Sequence, residues 1–293
     1  MVQNKRVIGI IGGSGIYAIE ALDAVQRVEV ETPWGKPSDS LVKGTIADVD
    51  LVFLARHGNG HAIPPHQVNY RANIDALKRA GVTDLISLSA CGSFKEALPP
   101  GMFVIADQFI DRTGGREKSF FESGFVAHVS MADPVCPALA EALEISCSEL
   151  SIPNSHGGTY ICIDGPQFSS RAESNLYKSW GCDVIGMTAM PEAKLAREAE
   201  LPYAIAAMVT DYDCWNESEG AVEVAKVLET IKANKDNAAK LIENIAVRLG
   251  PERTPSPSGV EKMLDMAVIT PPSARSSAAL KKLDAVAGRF LKR

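Results

Sequence analysis

The sequence predicts an α/β protein, a single domain with a central mixed, twisted β-sheet flanked by helices, followed by a C-terminal helical tail. Two patterns carry that expectation. Short apolar, β-branched runs alternate with stretches of helical period from Val7 to Leu249. Several of these runs are apolar almost throughout, which suits strands covered on both faces. Composition agrees: 46% apolar and 23% charged residues are ordinary for a globular protein and argue against disorder, collagen and coiled coil. A chain of 293 residues is long enough to bury a sizeable core.

Strands are expected at Val7–Ile11, Leu51–Ala55, Leu85–Ala90, Phe103–Ala106, Tyr160–Ile163, Val184–Met187 and Tyr203–Val209. Helices are expected at His66–Ala80, Pro137–Leu150, Ser170–Trp180 and Pro191–Glu198. In the third of these, Ser169 or Ser170 serves as N-cap and Glu173 completes a capping box. The clearest helix is Glu219–Leu249, where Val224, Val227, Leu228, Ile231, Ala238, Leu241, Ile242 and Ile245 keep a 3.6-residue stripe. Pro251, Pro255 and Pro257, with their serines, then interrupt the pattern. The expected organisation is one domain over residues 1–250 and a linker with a helical extension over 251–293, without internal repeats.

Charge narrows the function classes. Residues 250–293 hold 8 basic and 4 acidic side chains, and the body holds 22 and 32, a net of −10. A body that acidic is a poor nucleic-acid binder, because phosphate contacts need clustered Lys and Arg. The basic tail is expected to be a solvated amphipathic helix. No apolar run approaches the roughly 20 residues that span a bilayer, so no membrane association is expected. The cysteines (91, 136, 147, 162, 182 and 214) form no CxxC pair, so neither zinc nor a disulfide framework is suggested. Met1–Arg6 runs straight into a strand too short for a signal-peptide core. A reduced, cytoplasmic protein is expected.

Polar residues gather where apolar strands stop. Gly12-Gly13-Ser14-Gly15 follows the first strand, and its glycines free backbone N–H groups to converge on an anion, with Ser14 adding a hydroxyl. The same glycines also fit a dinucleotide fingerprint, Gly13-x-Gly15-x-x-Ala18, or a plain tight turn. Arg56-His57-Gly58 leaves the second strand, and a guanidinium fork beside an imidazole suits a phosphate dianion. Ser89 and the N–H groups after it can line an anion pocket. Cys91 has no basic partner in sequence reach and reads as a buried structural thiol. Phe168 precedes a helix as a stacking platform for a flat ligand. Gly186-Met187-Thr188 ends another strand. Thr210-Asp211-Tyr212-Asp213 ends the last, and two carboxyls so placed can work as acid and acceptor once crowding and burial raise one pKa.

Taken together, these segments resemble the trimeric purine nucleoside phosphorylase superfamily, and within it the methylthioadenosine phosphorylase branch. The resemblance rests on Ile8–Gly15, Thr32–Asp39, Arg56–Gly58, Val68–Asn73, Ser89–Ser93, Gly165–Glu173, Met187-Thr188, Pro191-Glu192 and Thr210–Trp215. These stretches run in order through residues 7 to about 250; the tail matches only loosely. The resemblance implies phosphorolysis of a nucleoside N-glycosidic bond by a homotrimer, with inorganic phosphate as co-substrate and no metal or organic cofactor. It implies a phosphate site of Ser14, Arg56, His57, Ser89, Ala90 and Thr188. Met187 is implied against the ribose, Phe168 and Ile185 against the base, and Asp211 and Asp213, with Thr210 beside them, on purine N7 and the 6-amino group. Val224, Val227 and Leu228 are implied around a 5′-methylthio group, with His128 offered from the neighbouring subunit.

The residues support a preference for adenine-type bases, since carboxyl acceptors suit an amino group at C6 and would meet a 6-keto oxygen with lone pairs. Val224, Val227 and Leu228 lie at i, i+3 and i+4, an apolar face that offers nothing to a hydroxyl, or else simply core. The competing readings are a methylthioinosine or general purine nucleoside phosphorylase, a dinucleotide-dependent oxidoreductase built on the first glycine loop, and a catalytically silent binding protein.

Overall fold

Strand β1 (Val7–Gly12) opens a computed structural model that describes residues 5–13, 22–216 and 224–292. It is followed by β2 (Asp23–Val28), β3 (Leu41–Ile46), β4 (Val49–Ala55), α1 (Tyr70–Arg79), β5 (Asp84–Ser93), β6 (Phe103–Ile105) and β7 (Gln108–Asp111). Next come α2 (Pro137–Glu149), β8 (Asn154–His156), β9 (Thr159–Cys162), α3 (Arg171–Ser179), β10 (Val184–Gly186), α4 (Ala189–Glu198) and β11 (Tyr203–Asp211). Helix α5 (Val224–Leu249) and the short α6 (Leu264–Ala267), α7 (Ser277–Lys282) and α8 (Gly288–Leu291) complete the described chain.

All eleven strands join one mixed sheet, along the path β2-β3-β4-β1-β5-β10-β9-β7, with β11 on β5 and β6, and β6 on β8. The pairs β4–β1–β5–β11 are parallel. The carboxyl ends of those four strands therefore share one edge, the place where open α/β sheets carry their sites. Strand β5 is the hinge of the arrangement: Asp84–Ser87 pair with β1, while Gly92 and Ser93 peel away to pair antiparallel with β10.

The period of two along the strands divides the core. Ile8, Ile10, Leu51, Phe53, Ile86, Leu88, Ala204, Ala206 and Met208 face α2 and α5. Ile11, Val52, Leu54, Leu85, Tyr203, Ile205, Ala207 and Val209 face α1, α4 and the tail. Both faces are covered, as the continuous apolar runs predict. Helix α3 carries the expected capping box: Glu173 N–H donates to Ser170 Oγ at 3.3 Å, and Ser170 N–H donates to Glu173 Oε2 at 2.8 Å.

Four strands escape the sequence reading: β2, β3, β7 and β8. Strand β2 is exposed almost throughout, so it carries no apolar alternation to detect. Helix α1 starts at Tyr70 rather than His66, because Asn69 is the N-cap (Ala72 N–H donates to Asn69 Oδ1 at 3.1 Å) and Pro65–Gln67 form a separate 3₁₀ turn. Within α5 the stripe divides: Leu241, Ile242 and Ile245 are buried, whereas Val224 and Leu228 stand about 60% exposed. The tail is not one solvated helix. It breaks into α6, α7 and α8, and Leu264, Leu283, Val286 and Ala287 pack into the main core.

Helix α4 also fixes the loop after β7. Glu198 is buried and accepts from the Phe120 N–H at 2.6 Å and the Ser119 hydroxyl at 2.7 Å. Burial outweighs those donors and raises its pKa from 4.5 to about 7. Between those two values the folded form holds more protons than the unfolded, so this residue makes stability fall as pH rises through that window. Glu198→Gln is expected to flatten the dependence of Tm on pH between about pH 5 and 7; thermal melts across that range measure it, and an unaltered slope would contradict it.

Candidate active site

The shared strand edge gathers most of the polar residues singled out in the sequence. At the end of β11 the pairing with β5 slips: Val209 lies opposite Cys91, and Asp211, two residues on, lies opposite Gly92. The extra residue is Thr210, and such a bulge re-aims the side chain beyond it. Gly92 makes room for the result, since a Cβ there would lie 2.9 Å from Asp211 Oδ1 and 3.1 Å from Ile185 Cγ2. The Thr210 hydroxyl stands 2.8 Å from Asp211 Oδ2 and 3.1 Å from the Cys91 carbonyl, and Asp213 N–H donates to Asp211 Oδ1 at 2.8 Å. Asp213 Oδ2 is buried without a hydrogen-bond partner among the described residues. Burial raises the pKa of both carboxyls. The pair is thus biased toward holding a proton, as an acid near a leaving group requires.

A second cluster lies on the same edge. The Ser89 and Thr188 hydroxyls are 3.1 Å apart, with Tyr160 Oη 3.5 Å from Ser89 Oγ. Ala90 beside them is half-buried, and the peptide run Gly186-Met187-Thr188 leads into α4. Arg56 and His57 leave β4 next to Gly12, whose carbonyl accepts from Arg56 N–H at 2.8 Å. His57 Nδ1 lies 2.9 Å from the Ile63 carbonyl, and its ring stacks on His61 at 4.1 Å. Burial, assisted by the Arg56 charge, lowers its pKa to about 4, so the imidazole is neutral at physiological pH. With Nδ1–H given to a carbonyl, Nε2 is left as an acceptor, suited to a phosphate that carries a proton.

Arg56 does not offer an open fork. Its Nε and Nη2 donate to Glu192 at 2.8 and 3.1 Å, Nη2 also to Ser87 Oγ at 2.7 Å and the Ile11 carbonyl, and Nη1 to the Leu88 carbonyl. A guanidinium 1% exposed needs a counter-charge, and Glu192 supplies it from 136 residues away. Glu192 outweighs burial and holds Arg56 charged. What Arg56 brings to the edge is the positive end of a buried ion pair, held in a fixed place.

The loop between β9 and α3 closes the carboxyl side. Gly165, at φ +63°, lies so near Met187 that a Cβ there would stand 2.3 Å from its sulfur. Arg171 Nη1 donates to the Cys214 carbonyl at 3.2 Å, and Cys214 Sγ donates to the Ser169 carbonyl at 3.2 Å. Phe168, 43% exposed, is thereby tied to the turn that bears Asp213, and Ile185 is buried beside Gly92.

The remaining candidates stand apart. Ser14 lies outside the described residues. His128 is exposed on a groove of about 340 Å³ lined also by Phe121, Val129 and Met131, to which the carboxyl pair does not contribute. Val224, Val227 and Leu228 lie at the beginning of the described part of α5, the expected start at Glu219 falling outside the described residues, and are at least partly open to solvent. Cys91 is a buried free thiol whose pKa burial raises, as a structural cysteine requires. Among the described residues no group of His, Cys, Asp and Glu is arranged to hold a metal ion, and no helix is long and apolar enough to cross a membrane.

Sequence reasoning gave no role to Glu192, Gly92, Tyr160 or Arg116. Each acts through partners far away in sequence; Gly92 and Glu192 lie in stretches that carry the resemblance, but nothing local shows what they do.

The phosphorylase superfamily model matches residues 7–247, and the chain belongs to that superfamily. It is 55% identical over 288 residues to an S-methyl-5'-thioadenosine phosphorylase of Cereibacter sphaeroides, covering 98% of this chain and 99% of the relative. It is 56% identical to the protein of that name from Bradyrhizobium diazoefficiens, over 99% of this chain and all of the relative. A crystal structure of methylthioadenosine phosphorylase from an antarctic soil metagenomic library superposes with a TM-score of 0.91 at 46% identity, over 97% of this chain and 99% of that one. A mutant adenosine/methylthioadenosine phosphorylase from Schistosoma mansoni in complex with methylthioadenosine superposes at 0.79 and 40% identity, over 85% and 93%.

Proposed function

We propose that the protein catalyses phosphorolysis of 5'-methylthioadenosine, giving adenine and 5-methylthioribose 1-phosphate. The observation that carries the reading is one sheet edge bearing both a hydroxyl cluster beside the buried Arg56–Glu192 ion pair and two carboxyls, half-buried Asp211 and buried Asp213, whose pKa values are raised. Relatives at 55 and 56% identity named for this substrate support it.

Phosphate is received by Ser89 and Thr188, with Ser14, the Ala90 backbone and neutral His57, in the field of Arg56. It attacks the anomeric carbon as the bond to purine N9 breaks and the sugar takes on oxocarbenium character. The bonding pair leaves with the base. Adenine is a poor leaving group unless N7 is protonated or hydrogen-bonded, and Asp211 supplies that proton while Asp213 accepts from the 6-amino group. General acid catalysis of this kind is worth roughly 10²–10⁴-fold, and preorganised donors around the phosphate stabilise the rest of the developing charge. Met187 packs on the ribose, and Phe168 and Ile185 on the base. This chemistry uses inorganic phosphate as co-substrate and calls for no metal or organic cofactor.

The reading places the protein in the cytoplasm as a homotrimer. The half-open apolar turn of Val224, Val227 and Leu228 then surrounds the 5'-methylthio group, completed by His128 of a neighbouring subunit. The test is base release from methylthioadenosine, methylthioinosine, adenosine and inosine, each with and without phosphate. Phosphate-dependent release is expected, fastest from methylthioadenosine. Preference for the inosine compounds would overturn the roles given to Asp211 and Asp213.

A further inference from the structure

Arg116 lies in the loop after β7, far in sequence from every motif above, yet its side chain is 2% exposed at the centre of the site's scaffold. Nη1 donates to Tyr70 Oη at 3.0 Å, the Met187 carbonyl at 2.8 Å and the Met190 carbonyl at 2.7 Å. Nη2 donates to the carbonyls of Ile163 at 3.3 Å and Asp164 at 2.8 Å, and Nε to Asp164 Oδ1 at 3.2 Å. Five N–H groups thus meet six acceptors, only one of them charged.

That partner set differs from an ordinary buried ion pair. Arg289, by contrast, is paired with two carboxylates, Glu200 and Asp265, in the tail. Around Arg116 the acceptors are mostly main-chain carbonyls from segments that need fixed positions. Met187 and Met190 bracket Thr188, and Met190 is the non-helical residue (φ −118°, ψ 133°) at the start of α4. Ile163 and Asp164 begin the loop that carries Phe168. Tyr70 Oη donates onward to the Pro65 carbonyl at 3.0 Å, in the segment following His57 and Ile63.

We propose that Arg116 is a positioning residue that locks the phosphate-side, ribose-side and base-side segments into one register. This rests on the phosphorylase reading given above. Arg116 itself carries no bond-making role; it sets where the Thr188 hydroxyl stands relative to Ser89 and where Met187 stands relative to Gly165. A planar fork is required, because lysine has three donors on one point and cannot span carbonyls on two segments.

The test compares Arg116→Lys and Arg116→Ala with Arg289→Ala, which removes a paired guanidinium from the tail. Two readouts are taken: kcat and KM for methylthioadenosine and for phosphate, and the thermal shift given by phosphate alone and by adenine alone. Arg116→Lys is expected to lower kcat by about 100-fold, the scale of a misplacement of about 1 Å, and to weaken phosphate and adenine together. Added guanidinium ion is expected to restore activity to Arg116→Ala in a saturable way. Arg289→Ala is expected to lower Tm while keeping kcat and both ligand shifts near wild type. Wild-type kcat and ligand shifts in Arg116→Lys would overturn the proposal. So would losses that follow Tm equally in all three variants, with no rescue by guanidinium. A wild-type protein that released no adenine would overturn the phosphorylase reading instead, and the phosphate shifts would still decide for or against Arg116.

Discussion

Asp211→Asn is expected to lower kcat on methylthioadenosine by about 10²–10⁴-fold and to move base preference toward 6-oxopurines. Two physical effects combine. The amide has no titratable proton to transfer, whereas burial raises the pKa of the wild-type carboxyl and favours its acid form, so purine N7 leaves without its acid. The amide N–H₂, in turn, can donate on the N7 edge, where a 6-keto oxygen is the adjacent acceptor, and so offset the repulsion between that oxygen and Asp213; hydrogen-bond complementarity of this kind discriminates between bases. The wild-type rate should also fall as pH rises through the raised pKa of Asp211, because deprotonation removes the acid. Initial rates of adenine and hypoxanthine release from matched nucleosides measure the effect, and an unchanged ratio would count against the role given to Asp211.

Glu192→Ala is expected to be the most destabilising single change at the site. It leaves the Arg56 guanidinium buried without its counter-charge, a loss of about 3–5 kcal/mol. Tyr203 Oη, which donates to Glu192 Oε1 at 3.0 Å, loses its acceptor as well. A fall in Tm of about 10 °C follows for a domain of this size. Removing both charges, in Arg56→Met with Glu192→Leu, should recover much of that stability, since an apolar pair can replace a buried ion pair at little cost. The double variant should still bind phosphate more weakly, because the guanidinium end of the pair, which faces the site, has gone. Thermal melts with and without phosphate check both statements. A double variant no more stable than Glu192→Ala would show that the cost lies in packing rather than in the orphaned charge.

How far the sequence revealed this arrangement depended on whether a residue's partners were local. The strands buried on both faces were legible because both sets of alternating positions are apolar, as Ile8, Ile10 and Ile11 illustrate. The capping box of Ser170 and Glu173 spans three residues and was legible for the same reason. Strand β2 was not, since its residues face solvent and its pairing is supplied by β3.

The site followed the same rule. Asp211, Thr188 and Ser89 announce themselves as polar residues where apolar strands end. The Thr210 bulge that aims Asp211 depends on the register with β5, which no local pattern specifies. Arg56 was visible as a charge at a strand exit, but its orientation was not. The fork is taken by Glu192 from α4 and by carbonyls of two neighbouring strands. Arg116 lay furthest from view, because its acceptors come from α1 and from the segments around Asp164 and Thr188, which meet only in the folded chain.

The most direct measurement is the fate of the sugar when the purified protein acts on methylthioadenosine in the presence of inorganic phosphate. One methylthioribose 1-phosphate formed for each adenine released, with no adenine when phosphate is withheld, is the expected result. Adenine released at the same rate without phosphate, together with free methylthioribose, would contradict it and assign the strand-edge hydroxyls and the buried Arg56 charge to some task other than delivering phosphate.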